Sequence, residues 1–268
     1  MAISRILDKV YREPWLIKPS AHQSICATLS NYIASGADYD ADDDYEEFEL
    51  KVGTTQVIPI HGIIGKHLSL LETSCGGVDV DTIAMKLDAA LADDSIDSIV
   101  LYINSAGGTV TGVPELAEHI ARVADEKQVV AYTDSLCASA AYWLASSCNA
   151  VWASRSSEVG SIGVYMTLLN ESDKLAKEGV RVEAFQAGDY KLAGASFKPL
   201  TQDERELFQQ DVDYWYKLFT EHVTSKRPLS TDVMQGQTFV GEKALELNLV
   251  DGIVDDLADV LAMTLDNR

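Results

Sequence analysis

The sequence predicts an α/β fold: a mainly parallel sheet flanked by helices, preceded by an N-terminal arm and carrying a long C-terminal helix. Three observations predict it. From Gln56 onward, apolar runs of strand length alternate with segments whose apolar residues recur at helical spacing. One such run, Ser98-Ile99-Val100-Leu101-Tyr102-Ile103, leads into Asn104-Ser105-Ala106-Gly107-Gly108-Thr109, a glycine pair at the end of a strand. And 268 residues, 47% of them hydrophobic, suffice to bury a sizeable core.

The elements follow in order. Residues 56–60 read as a strand, and His61-Gly62-Ile63-Ile64-Gly65 as a turn into a loop. Residues 80–91 carry apolar positions at helical spacing, and the strand ending at Ile103 comes next. Residues 115–124 are a second helix and 129–132 a strand; Ser139 opens a helix over 140–145, and 150–153 make a further strand. After Val180-Arg181-Val182-Glu183-Ala184-Phe185 comes a loop containing Lys191. Residues 202–225 form a long amphipathic helix bearing Leu207, Phe208, Trp215, Leu218 and Phe219, placed to dock on the core or to form a subunit interface. The chain then reads as helix, turn and short strand through Ile253. In a sheet of this kind the site sits at the C-terminal ends of the strands.

Residues 1–50 differ in character. Arg12-Glu13-Pro14-Trp15-Leu16-Ile17 precedes a helical segment over 22–35, and an acidic run follows from Asp38 to Glu49. That run lacks the spaced oxygen ligands and the turn glycine of a calcium loop, so it reads as a solvated linker. The expected organisation is an arm over 1–50 and one domain over 51–268.

Composition excludes several function classes. No run approaches the ~20 apolar residues that span a bilayer, and Met1-Ala2-Ile3-Ser4-Arg5 lacks the apolar core of a secretion signal. The expectation is a soluble cytoplasmic protein with no membrane span. Cys26, Cys75, Cys137 and Cys148 stand at no metal-ligand spacing, so neither metal nor cofactor is expected. A formal charge of -21 argues against nucleic acid as a partner.

Two motifs carry chemistry. The glycine pair lets backbone N–H groups turn outward and approach a ligand. Ala138-Ser139-Ala140-Ala141-Tyr142 places a hydroxyl at a helix N-terminus, where the positive end of the dipole favours an oxyanion. Together they read as the oxyanion hole and nucleophile of an acyl-transfer site. A serine hydroxyl also needs a base. Of the five histidines, only His222 follows Ser139, and it lies within the long helix. His119 is mid-helix, while His61 and His67 flank a glycine-rich loop; none has a strong claim. Lysine is the other route. A lysine base working near neutral pH must have its pKa brought from ~10.4 to about 7–8, roughly 4 kcal/mol, which apolar burial can supply. Lys191, in Gln186-Ala187-Gly188-Asp189-Tyr190-Lys191-Leu192-Ala193-Gly194, has one charged neighbour in that stretch, Asp189. Taken alone, a loop lysine is a surface residue. Val159-Gly160-Ser161-Ile162-Gly163-Val164-Tyr165 is a tight turn, or a means of setting the Ser161 hydroxyl against a neutral amine.

The order Asn-Ser-Ala-Gly-Gly, Ala-Ser-Ala-Ala-Tyr, Gly-Ser-Ile-Gly-Val and Gly-Asp-Tyr-Lys resembles the signal peptide peptidase A family of serine proteases, over roughly residues 56–256. The resemblance implies a Clp-protease/crotonase fold and a serine endopeptidase with a Ser–Lys dyad. By it, Ser139 is the nucleophile, Lys191 the general base and Ser161 the serine that steadies the lysine. The N–H groups of Gly108 and Ala140 form the oxyanion hole, and substrate lies extended along Gly107, Thr109 and Val110. The family usually has Pro at the place of Ala106 and Gly-Gly at Ala140-Ala141, departures that remove no backbone donor. The Glu13-Pro14-Trp15 opening and the single domain look like the phage branch, prohead or capsid-maturation proteases that cut scaffold, portal or coat proteins. The resemblance then implies a polypeptide substrate, a ring-shaped homo-oligomer, and a place in the host cytoplasm or prohead interior. Its alternatives are a cellular peptidase acting on signal-peptide or other fragments, and a non-enzymatic oligomeric assembly factor.

Overall fold

A computed structural model describes Val10, residues 13–35 and residues 50–266. The acidic linker from Asp38 to Glu49 lies outside the described residues. In chain order the elements are β1 (Trp15–Ile17), α1 (Pro19–Ser35), β2 (Leu50–Val52), β3 (Thr55–Gly65), α2 (Leu70–Ser74), β4 (Gly77–Asp79), α3 (Val80–Ala92), β5 (Ser98–Thr109) and α4 (Val113–Glu126). They continue with β6 (Gln128–Thr133), β7 (Leu136–Ala138), α5 (Ala140–Ala145), β8 (Ala150–Ala153), β9 (Glu158–Gly160), α6 (Ser172–Lys177), α7 (Gln202–Lys226), β10 (Thr238–Val240), α8 (Gly241–Glu246), β11 (Gly252–Ile253) and α9 (Leu257–Asp266).

β5 is the axis of the sheet. Its first half lies between β3 and β6, both parallel to it, and β8 and β11 extend that side in parallel. Near its end a second branch begins: Ser105 pairs with Cys137 of β7, β9 runs parallel to β7, and β10 closes that branch antiparallel. The expected mixed α/β architecture with a mostly parallel sheet and a long helix near its C-terminal end is what the chain forms.

Strand alternation divides the core into two faces. Ile99, Leu101 and Ile103 point one way, with Ile58 and Ile60 of β3, onto Ile83 and Leu87 of α3 and Leu116, Ile120 and Val123 of α4. Val100 points the other way, with Val57 and Val130, onto Val260 and Leu261 of α9. Each such fully buried side chain stabilises by about 1.5–3 kcal/mol. α7 starts at a capping box, in which Thr201 Oγ1 accepts from the Glu204 N–H at 3.2 Å and Glu204 accepts from the Thr201 N–H at 3.0 Å. Its buried residues dock on the core: Phe219 lies flat on Trp143 of α5, with ring centroids 4.6 Å apart.

Two boundaries differ from the sequence expectation. β3 continues past Ile60 to Gly65, and β5 past Ile103 to Thr109. The reason is mutual pairing of their glycine-bearing ends, Ile63 with Gly107 and Ile64 with Gly108, across a bulge at His61–Ile63. The chain from 176 to 191 is exposed throughout, and there Phe185 is 95% exposed.

Candidate active site

Ser139 occupies the turn between β7 and α5 with φ 58° and ψ -118°. Positive φ is costly for a side-chain-bearing residue, on the order of 1–3 kcal/mol, and such strain gathers at functional sites. The turn is held by the Ser139 N–H, which donates to Gly160 O at 2.8 Å. The hydroxyl makes no cap for α5. It is buried, and Oγ has no hydrogen-bond partner. An orphaned buried hydroxyl is itself unfavourable, so neighbouring structure enforces this conformation rather than tolerating it.

The two sequence motifs meet here. Gly107 has φ 102°, and a Cβ placed on it would lie 3.0 Å from both Ala138 O and Ala140 N. The glycine end of β5 is therefore packed directly on the Ser139 turn. Ala140, the first residue of α5, has an N–H with no acceptor inside the helix. Ser105 braces the same stretch, donating to Gly62 O at 2.6 Å and accepting from the Gly107 N–H at 3.1 Å. Sequence reasoning passed over Ser105, although its place two residues before a glycine that needs a local acceptor was a usable signal.

Ser161 also has positive φ, 53°, and is buried; its N–H donates to Gln237 O at 2.7 Å. It directly follows Gly160, the residue that anchors Ser139, so the two serines belong to one backbone network. Lys191 does not join them. Its side chain is exposed in a turn closed by its own N–H to Gly188 O at 3.1 Å, and no contact places its amine on Ser139. Residues 176–191 are all exposed, and this stretch carries Lys191 on the surface.

The histidines are engaged elsewhere. His22 sits 3.0 Å from Val10 O, His67 pairs with Asp81 and His119 with Asp88. His222 meets Ser147 Oγ at 2.9 Å, and burial, with Lys226 adding, pushes its pKa down to about 4. His61 packs edge-on against Tyr102, and burial lowers its pKa. Cys137, two residues from Ser139, is fully buried and its thiol is pushed far up by burial, which leaves it inert.

The strand edge expected for substrate, at Gly107, Thr109 and Val110, is occupied. β1 pairs antiparallel with it, Trp15 opposite Thr109, Leu16 opposite Gly108 and Ile17 opposite Gly107. A short apolar segment finds there an edge with unpaired N–H and C=O groups.

The profile of peptidase family S49 matches residues 121–266, more than half of the chain, including Ser139, Ser161 and Lys191. The chain belongs to peptidase family S49. It is 30% identical to capsid assembly protease C of Escherichia phage lambda, over 79% of this chain and 49% of that protein. It is 31% identical to protease 4 of Salmonella typhi, over 79% of this chain and 35% of that protein. The chain spans about half the length of the curated relatives it matches. Among solved structures, a ClpP1 mutant from Listeria monocytogenes aligns with TM-score 0.48 at 14% identity, covering 75% of this chain and 92% of that one. Among the described residues of this S49 chain, no helix is long and apolar enough to cross a membrane.

Proposed function

We propose that this S49 chain is a serine endopeptidase in which Ser139 is the nucleophile, Lys191 the general base and Ser161 the hydroxyl that orients the lysine. The observation that supports it most is the unpartnered Ser139 Oγ on a strained strand-to-helix turn, set against Gly107 and the first N–H of α5. Neutral Lys191 takes the Ser139 proton and the alkoxide attacks the scissile carbonyl carbon. The N–H groups of Gly108 and Ala140 bind the resulting oxyanion, each such donor being worth about 3–4 kcal/mol of barrier. The lysine then protonates the leaving amine, and water, deprotonated by the same lysine, hydrolyses the acyl-enzyme.

Assembly brings the base home. Val180, Val182, Phe185 and Tyr190 are apolar or aromatic and exposed on the stretch that carries Lys191, the composition of a surface covered by another copy. In a homo-oligomer that stretch packs, and the amine enters apolar surroundings beside the hydroxyl.

The role we assign is capsid maturation in a phage, with scaffold, portal or coat protein as substrate, in the host cytoplasm or prohead interior. The 217-residue alignment with capsid assembly protease C supports this. A cellular peptidase acting on signal-peptide or other fragments is the second reading, supported by the 222-residue alignment with protease 4. Cleavage assays on coat and scaffold proteins from neighbouring genes, run beside signal peptides, separate the two. For the chemistry, Ser139→Ala cuts turnover by at least about 10⁴-fold with an unchanged circular dichroism spectrum. Lys191→Arg fails to rescue Lys191→Ala, because a guanidinium stays protonated. Wild-type cleavage by the Ser139→Ala or Lys191→Ala variant would remove the dyad, and no cleavage by the unaltered chain in its assembled form would favour a non-enzymatic assembly factor.

A further inference from the structure

β1 is inserted between two walls that both carry site motifs. One wall is the glycine end of β5. The Lys18 N–H donates to Ala106 O at 2.8 Å and the Val110 N–H to Pro14 O at 3.3 Å. Exchange pairs in an antiparallel ladder recur every second residue, so Leu16 and Gly108 form the pair between these two, with the Leu16 carbonyl facing the Gly108 N–H. A Cβ on Gly107 would lie 2.0 Å from Leu16 O and 3.0 Å from Ala140 N, so that carbonyl, paired with one proposed oxyanion donor, lies no more than 5.0 Å from the other. The other wall follows the Ser161 turn. Trp15 exchanges both backbone bonds with Tyr165, at 2.8 and 3.1 Å. An extended peptide added to a sheet edge uses this same main-chain pairing. Substrate and residues 14–18 therefore compete for one set of donors and acceptors.

The segment is latched as well as paired. Lys18 Nζ forms an ion pair with Glu158, which also accepts from Thr238 at 2.9 Å. The His22 ring lies 5.0 Å from Trp15 and 5.6 Å from Tyr165. Yet the closed arrangement leaves two buried hydroxyls, Ser139 Oγ and Tyr165 Oη, without partners, a penalty that an exchange of occupant can relieve.

We propose that residues 14–18 are a built-in occupant of the substrate cleft, so that the folded chain is a latent peptidase until this segment is displaced. The inference rests on the peptidase reading for its consequence, but not for its geometry. The cleft takes an aliphatic side chain at the Leu16 position, where Leu16 is 0% exposed, and a displaced segment leaves that subsite open.

The test weakens the latch without touching the core. In the full chain, Lys18→Glu places a carboxylate against Glu158, and Glu158→Lys combined with it restores an ion pair. The expected result is a rise of about fivefold in kcat/KM for Lys18→Glu, and return to the wild-type value in the double variant. A second readout needs no activity. On a Ser139→Ala background, a fluorescent peptide spanning Glu13 to Lys18 binds the Lys18→Glu chain about fivefold tighter than the chain with Lys18, while a peptide carrying Leu16→Asp binds neither. A third variant, Trp15→Cys with Tyr165→Cys, locks the segment as a disulfide; the oxidised chain loses peptide binding and reduction restores it. Binding that follows this pattern with no cleavage in any variant sinks the peptidase reading and keeps the occupant. Equal peptide affinity in the latched, unlatched and locked chains overturns the occupant, whatever the cleavage rates.

Discussion

The turn at Ser139 and the stretch that carries Lys191 stand at opposite extremes of the same chain. Around Ser139, every residue from Ala140 to Ala145 is buried, and the backbone is held by Gly160, Gly107 and Ser105. Around Lys191, residues 176–191 are all exposed, with Phe185 at 95%. One chain suffices to build the strained Ser139 turn and to set the proposed oxyanion donors beside it. It does not suffice to bury the proposed base. On the proposed reading, packing of Lys191 against another copy ties catalysis to assembly, and an unassembled chain with its cleft filled by β1 is silent on two counts.

That contrast can be broken from either side. The largest effect is expected from Phe185→Asp, which alters the exposed stretch and nothing in the packed half. Sedimentation should show loss of the oligomer and assays a fall of about 10²-fold or more in cleavage, with the melting temperature of the monomer unchanged. Retention of full activity by a monomeric Phe185→Asp chain would show that the stretch closes on its own molecule.

Gly107→Ala probes the packed side. The new methyl meets Leu16 O at 2.0 Å on a backbone with φ 102°, so a stability loss of about 3 kcal/mol is expected in denaturant unfolding. An unchanged unfolding midpoint would mean that β1 leaves its place at little cost.

The smallest effect concerns α7, whose Phe219 stacks on Trp143 of α5, the helix that Ser139 precedes. His222 is neutral in the folded chain, its pKa lowered by burial to about 4 against ~6.5 when unfolded. The unfolded chain takes up the proton first as pH falls from 6.5 toward 4, so stability declines across that window, by no more than about 3 kcal/mol. His222→Gln, which can still meet Ser147, should flatten this slope in pH-dependent melting; an identical slope would assign the decline to other groups.

Much of the frame was legible in the sequence because its causes are local. Alternating apolar runs mark β5, β6 and β8, helical spacing marks α3 and α4, and Thr201 with Glu204 marks the start of α7. The meeting of Gly107 with Ala140 was also foreseeable, since one lies at a strand's end and the other opens the helix after a neighbouring strand. Other features have non-local causes. The extension of β5 to Thr109 depends on pairing with Ile63 and Ile64, some forty residues away. The three-residue run Trp15-Leu16-Ile17 carries no period of its own, and it is a strand because it pairs with Gly107–Thr109 and with Tyr165. The role of Lys191 was suggested by resemblance, and in the single chain its side chain is exposed; the proposed reading assigns its cover to another copy.

The most direct measurement of the central claim is the rate at which a fluorophosphonate reagent labels the full chain, with the modified residue located by mass spectrometry. The account predicts one adduct, on Ser139, forming at least about a hundredfold faster with Lys191 present than in Lys191→Ala. Labelling at equal rates in the two chains, or on a residue other than Ser139, would contradict it.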